Sequence, residues 1–173
     1  MAEYTIEITQ YCPHNCNYCS TNATENGLHL HMEIIKQFLK SNKILATDRI
    51  NISGGEPLSH PKFYEILQLC KQLTPDVWAY TNTINQIKYN TSVIKEIQVE
   101  ANVCLMPGED VYIPKNAHKV HLLQFVPTGR GKDIKSINIK LSGEDCANCN
   151  HKVLQANDKI VDAPCKKITI ERK

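Results

Sequence analysis

No stretch of the chain is apolar for long enough to span a bilayer, and no helix-length hydrophobic run stands out. Neither sign of charge dominates. Twenty Lys+Arg stand against eighteen Asp+Glu, a net charge of +2, so the sequence does not suggest a membrane-surface or nucleic-acid binder. The start, Met1-Ala2-Glu3-Tyr4-Thr5, has neither the basic flank nor the apolar centre of a secretory signal. There is no repeat of fixed period and no low-complexity tract. These absences point to a cytoplasmic protein, and at 173 residues with 42% hydrophobic content it can bury a core.

What the sequence does have is cysteine, eight in all. In a secreted chain an even count suggests a disulfide framework; in a reducing compartment, thiols grouped at short spacing more often hold metal. Six are grouped: Cys12, Cys16 and Cys19 near the start, and Cys146, Cys149 and Cys165 near the end. Cys70 and Cys104 stand alone. Cys70 falls in a helix's apolar stripe and reads as packing.

Short β-rich runs alternate with helical stretches, the pattern of βα units around parallel strands. Strands are predicted at 5–9, 49–53, 77–81, 97–105 and 119–126. Helices are predicted at 32–39, with Ile34, Ile35, Phe38 and Leu39 on one face, and from Pro61, with Phe63, Ile66, Leu67, Cys70 and Leu73. The strands alternate apolar and polar residues, such as Ile6 and Ile8 against Glu7 and Thr9, or Ile50 and Ile52 against Asn51 and Ser53. One face suits packing under helices and the other suits a wet cavity, whereas a closed barrel would strand those polar groups. An ordinary half-exposed sheet is the alternative. The fold class is therefore α/β: a partial (βα) barrel, trimmed relative to a TIM barrel, with a C-terminal Cys-rich β-hairpin segment. Residues 1–130 are expected to form the core. Residues 131–173 are expected to form the Cys-rich segment, packed on that core as a single unit.

The first cluster, Cys12-Pro13-His14-Asn15-Cys16-Asn17-Tyr18-Cys19, directly follows the first strand, where βα loops collect active-site groups. Three thiolates at this spacing fit neither the ferredoxin run nor a complete zinc set, because His14 lies inside the loop. Three ligands on a [4Fe–4S] cluster leave one iron open to bind and reduce something.

The CX3CX2C spacing with Tyr18 before the last cysteine resembles the signature of the radical S-adenosylmethionine (radical SAM) superfamily. Gly54-Gly55-Glu56-Pro57, at the end of the second strand, resembles that family's GGEP motif, and Tyr80-Thr81-Asn82 resembles its polar ending after the third strand. The resemblance covers roughly residues 4 to 130. It implies a [4Fe–4S] cluster on Cys12, Cys16 and Cys19, with S-adenosylmethionine chelating the open iron through its amino and carboxylate groups. One electron then cleaves the sulfonium to give a 5′-deoxyadenosyl radical that abstracts hydrogen from substrate; the cofactors carry this chemistry and the protein orients them. Gly54 and Gly55 would let the backbone approach the cofactor's methionine end, Glu56 would accept from its ammonium, and Pro57 would stiffen the turn. Tyr18 would lie against the adenine. Ser53, Asn82 and Gln124 are candidate contacts at the cavity rim.

Cys146-Ala147-Asn148-Cys149, with Cys165 sixteen residues later, is a second three-cysteine set around a predicted hairpin. It resembles the auxiliary-cluster (SPASM/twitch-like) segment of radical SAM proteins of the molybdenum-cofactor biosynthesis protein A type, although the spacing is two residues longer and the Gly-Gly tail of that enzyme is absent. The resemblance implies a second [4Fe–4S] cluster, open or closed by Cys104. A structural zinc knuckle with His151 or Cys104 is the alternative. Arg130, between Gly129 and Gly131, reads as an exposed guanidinium suited to grip a carboxylate or phosphate. Between Lys115 and Lys140 Asp133 is the one acid, a basic bias that suits an anionic substrate or an electron donor such as flavodoxin or ferredoxin.

The expected function is hydrogen abstraction from a small-molecule or peptide substrate. The alternatives are an activating enzyme that places a glycyl radical on a partner protein, favoured by the short chain, and a non-catalytic zinc-binding interaction module.

Overall fold

The first strand sets the architecture. In β1 (Glu3–Thr9) the even-numbered apolar set Tyr4, Ile6 and Ile8 is buried, and Tyr4 meets Phe38 of α1 (Met32–Ser41) edge-on at 6.3 Å. The computed structural model describes residues 1–82, 100–105, 119–124, 129–133, 151–157 and 159–162. These residues divide between two units, one built from 1–15, 23–88 and 145–173 and the other from 16–22 and 89–144.

The first unit holds a five-stranded sheet in the order β3-β2-β1-β6-β7. β2 (Arg49–Gly54) and β6 (His151–Leu154) flank β1, and β3 (Val77–Ala79) lies beyond β2; all four run parallel. β7 (Ile160–Asp162) folds back on β6 as the antiparallel arm of a hairpin, the one predicted between Cys149 and Cys165. α1 buries Met32, Ile35, Phe38 and Leu39. Helix α2 (Phe63–Lys71) buries Phe63, Ile66, Leu67 and Cys70. Both helices match their predicted stripes apart from Ile34 and Leu73, which are only half-buried, Leu73 lying past the end of α2. α2 begins two residues after Pro61, because Pro61 and Lys62 are spent on the preceding turn. Fully burying each of Ile6, Ile8, Ile35, Ile50, Ile52 and Ile66 contributes about 1.5–3 kcal/mol by removing apolar surface from water.

The opposite face of the same sheet carries Glu3, Thr5, Asn51 and Ser53. It is drier than alternation alone implied. Asn51 is 1% exposed; its amide donates to Glu3 Oε1 at 2.6 Å and lies 3.4 Å from Thr5 Oγ1. Asp76 receives Arg49 Nε at 2.9 Å and Trp78 Nε1 at 2.6 Å, so these side chains satisfy one another, whereas the buried Asn51 Oδ1 has no hydrogen-bond partner among the described residues.

The second unit holds β4 (Glu100–Leu105) and β5 (Lys119–Gln124), paired in parallel from Glu100↔Lys119 to Leu105↔Gln124. A short 3₁₀ turn covers Gly129–Asp133.

Candidate functional site

The site lies where β1 and β2 end. Past Thr9 the chain is held by residues 24–30 running alongside it. Gln10 N donates to Leu28 O at 2.8 Å, Thr24 N to Gln10 O at 3.0 Å and Cys12 N to Thr24 O at 2.9 Å. Cys12 is thereby fixed and buried at the head of the cysteine loop.

β2 ends in Gly54-Gly55, and both glycines are required by close backbone contact. Gly54 has φ +125, and a Cβ there would meet Thr9 O at 2.3 Å. A Cβ on Gly55 would meet Tyr11 O at 2.2 Å. Backbone hydrogen bonds hold the same stretch, from Gly55 N to Thr9 O at 2.7 Å and from Glu56 N to Tyr11 O at 2.9 Å. The close approach visible here is therefore to the chain leaving β1, a role the sequence reading did not include. Pro57, buried, starts the 3₁₀ turn Pro57–Ser59, whose first turn is capped by Glu56.

Glu56 is the hub. It is 2% exposed, and its carboxylate ties three segments together. Oε1 accepts from Thr81 Oγ1 at 2.6 Å and from Leu58 N at 3.1 Å, while Oε2 accepts from Asn82 N at 3.1 Å. His14 Nε2 lies 3.6 Å from Oε2. A carboxylate offers about four lone-pair sites, so three are filled by hydrogen bonds and one, on Oε2, faces His14. Thr81 and His14 are the residues of this hub that the sequence reading gave no role; the polar ending Tyr80-Thr81-Asn82 was the available signal for Thr81.

In the second unit the rest of the cysteine loop is clamped by the Gly129–Asp133 turn. Arg130 N donates to Cys19 O at 2.9 Å and Arg130 Nε to Cys16 O at 2.9 Å. Gly129 has φ +57, and a Cβ there would meet Cys19 O at 2.3 Å. Arg130 is thus half-buried, not exposed as its glycine neighbours suggested, because Gly129 serves this close approach. Within the loop, Cys19 N donates to Cys16 O at 3.3 Å. Cys16 and Cys19 are half-buried and free of disulfides.

The remaining predicted positions divide plainly. Ser53 is half-buried and pairs in register with Glu7, whose carboxyl burial holds above the usual range against the Ala156 N–H. Tyr18 is 36% exposed. Gln124 closes β5 opposite Leu105, and Cys104 lies in β4 opposite Leu123. Cys146, Cys149 and Cys165 lie outside the described residues.

Among the described residues no three His, Cys, Asp or Glu side chains converge on a position for a single ion. An iron–sulfur cubane asks something different, one thiolate for each of several irons. Three thiols in eight residues supply that donor chemistry, and the open lone pair of the buried Glu56 suits an amino group. These residues fit the cluster and the cofactor.

The model of the Radical SAM superfamily matches residues 6–121. Over 71 residues the chain is 32% identical to a GTP 3′,8-cyclase of Haemophilus ducreyi, a stretch covering 39% of this chain and 21% of that enzyme. The crystal structure of BtrN in complex with AdoMet and 2-DOIA superposes with a TM-score of 0.57 at 17% identity, over 93% of this chain and 72% of that one. The last likeness shows the fold, α/β with parallel strands and helices, and agrees with a partial barrel. Among the described residues no helix is long and apolar enough to cross a membrane.

Proposed function

Because the chain belongs to the radical SAM superfamily, we propose that it binds a [4Fe–4S] cluster through Cys12, Cys16 and Cys19 and cleaves S-adenosylmethionine reductively to abstract hydrogen from a small molecule or peptide. The observation that carries this reading is Glu56: a carboxylate buried to 2% exposure and held by Thr81, Leu58 and Asn82, with one acceptor site that no described residue fills with a hydrogen bond. Burying a carboxylate is costly, and a site that keeps one acceptor open is suited to a donor-bearing ligand. The backbone hydrogen bonds that hold Cys12, and those that hold Cys16 and Cys19, support a loop of fixed course. The cluster supplies the electron when bound; the chain's own residues bind, orient and exclude water.

A small-molecule substrate is favoured by the relatives, a GTP cyclase by name and BtrN solved with the small molecule 2-DOIA. The electron comes from a donor such as flavodoxin or ferredoxin. We assign residues 1–130 to the radical SAM core and 131–173 to an auxiliary segment. There Cys146, Cys149 and Cys165 hold a second [4Fe–4S] cluster. The hairpin supports this assignment, because its paired ends Lys152 and Asp162 stand three residues in sequence from Cys149 and Cys165 respectively.

Anaerobic reconstitution, iron counting and assay of 5′-deoxyadenosine test both parts. The protein should carry about eight irons, as two such clusters require. The Cys16→Ala variant should form no 5′-deoxyadenosine, and undiminished cleavage would overturn the assignment. Replacing Cys146, Cys149 and Cys165 together by Ala should leave about four irons. A wild-type content of about four irons and one zinc would make the C-terminal set a structural knuckle.

A further inference from the structure

We propose that His14, inside the cysteine loop, is a direct contact for the amino group of S-adenosylmethionine, sharing it with Glu56. The proposal rests on the reading of Glu56 given above and extends it to a residue with no assigned role. Three of the four acceptor sites on the Glu56 carboxylate are taken by Thr81 Oγ1, Leu58 N and Asn82 N. An incoming amino group is left the fourth, on Oε2. His14 Nε2 borders that site at 3.6 Å, beyond ordinary hydrogen-bond length, so the lone pair is not consumed.

An amino group has more than one N–H to place. In a buried site a second unmatched donor is costly, and Oε2 alone accepts one. His14 is the side chain the structure sets against that oxygen. It is 32% exposed, so its ring can shift toward a ligand without unpacking the core, while Glu56 at 2% cannot move. In this arrangement His14 Nε2 accepts, and the tautomer with the proton on Nδ1 is the one selected. The cysteine loop then does two jobs: Cys12 and Cys16 present thiols, and the residue between them reads the cofactor.

The test is equilibrium dialysis of S-adenosylmethionine against anaerobically reconstituted holoprotein, with iron counted on each sample. His14→Ala should weaken binding about tenfold, the effect of losing one hydrogen bond to a buried group, with iron content unchanged. His14→Gln, which restores a side-chain acceptor, should recover most of the loss. His14→Lys, which places a fixed positive charge beside the amino group, should bind more weakly than His14→Ala. A purely structural role would not order Gln above Ala above Lys. Wild-type affinity in His14→Ala, or no recovery in an iron-replete His14→Gln, overturns the proposal. Failure of the wild-type holoprotein to bind S-adenosylmethionine overturns the functional reading instead, so the two failures are distinct.

Discussion

Arg130 and Cys16, 114 residues apart in sequence, are joined by a 2.9 Å hydrogen bond from the guanidinium Nε to the Cys16 carbonyl, and the Arg130 backbone N–H closes a second one on Cys19 O. The cysteine loop is thus shaped from a distance by a turn late in the chain. Cys16 O also accepts from Cys19 N at 3.3 Å, so the guanidinium adds a second, charge-assisted bond to that carbonyl, a kind that contributes about 1.5–3 kcal/mol.

Replacing Arg130 by Ala should therefore loosen the loop. The expected result is retention of less than half the wild-type iron on the first cluster after gel filtration. Arg130→Lys should fall between, since a lysine offers a point charge in place of a planar guanidinium. Iron counting on the background lacking Cys146, Cys149 and Cys165 isolates the first site; full iron retention in Arg130→Ala would show that the clamp is dispensable.

The glycines of the GGEP motif should matter before any cofactor is added. Gly54→Ala combines a Cβ 2.3 Å from Thr9 O with a φ of +125, and Gly55→Ala places one 2.2 Å from Tyr11 O. Backbone contacts cannot move aside as a side chain can, so each change should cost more than about 2 kcal/mol of stability. Denaturant unfolding of the metal-free protein measures this, and a loss under 0.5 kcal/mol (roughly the scale of a neutral surface change) would contradict the geometry.

Much of this was legible in the residues themselves. The stripes Phe63, Ile66, Leu67 and Cys70 on α2 and Ile35, Phe38 and Leu39 on α1 follow from three- and four-residue spacing, and the parallel strands from their alternation with those helices. Glu56 was legible through its motif. Its partners were not, because Thr81 and His14 reach it across loops whose course no periodicity encodes. Arg130 misled for a related reason: glycines on either side suggest exposure, yet Gly129 serves a contact with Cys19 O that only the folded chain reveals. Asn51 sat on a face expected to be wet, and its bond to Glu3 depends on register between neighbouring strands.

Stability should fall on mild acidification through His60. This residue is 5% exposed; Lys62 N donates to its Nδ1 at 3.0 Å, and Nε2 lies 3.2 Å from Leu30 O. Burial, with neighbouring His29 and Lys62, holds its pKa below the ordinary 6.5, opposed by the Leu30 bond. The unfolded chain therefore takes up the proton first. The contribution is fully present above pH of about 6.5 and is lost as pH falls through that value toward the lower folded one. Thermal unfolding between pH 7.5 and 5.5 should show a decline that His60→Gln reduces, and an identical slope in that variant would exclude His60 as its source.

Cys70 should behave as an apolar side chain. Burial pushes its thiol up to about 12, so almost no thiolate exists near neutrality. Iodoacetamide at pH 8 should label Cys70 only after denaturation, as peptide mass mapping would show. Rapid labelling of the native protein would mean that α2 opens readily.

The place of β6 beside β1 has a consequence for how the chain is made. β1 is made before both of its neighbours and gains β2 after residue 49, yet its other flank stays open until His151 pairs with Glu3. Contacts that bridge so much chain form late, because loop-closure entropy opposes them. Between the synthesis of β2 and that of β6 the nascent protein therefore carries a bare strand edge next to Tyr4, Ile6 and Ile8, a template for pairing with other chains. A truncation that removes the last cysteines together with β6 would uncover that edge permanently, and the aggregation that follows would come from lost strand pairing, not from lost metal.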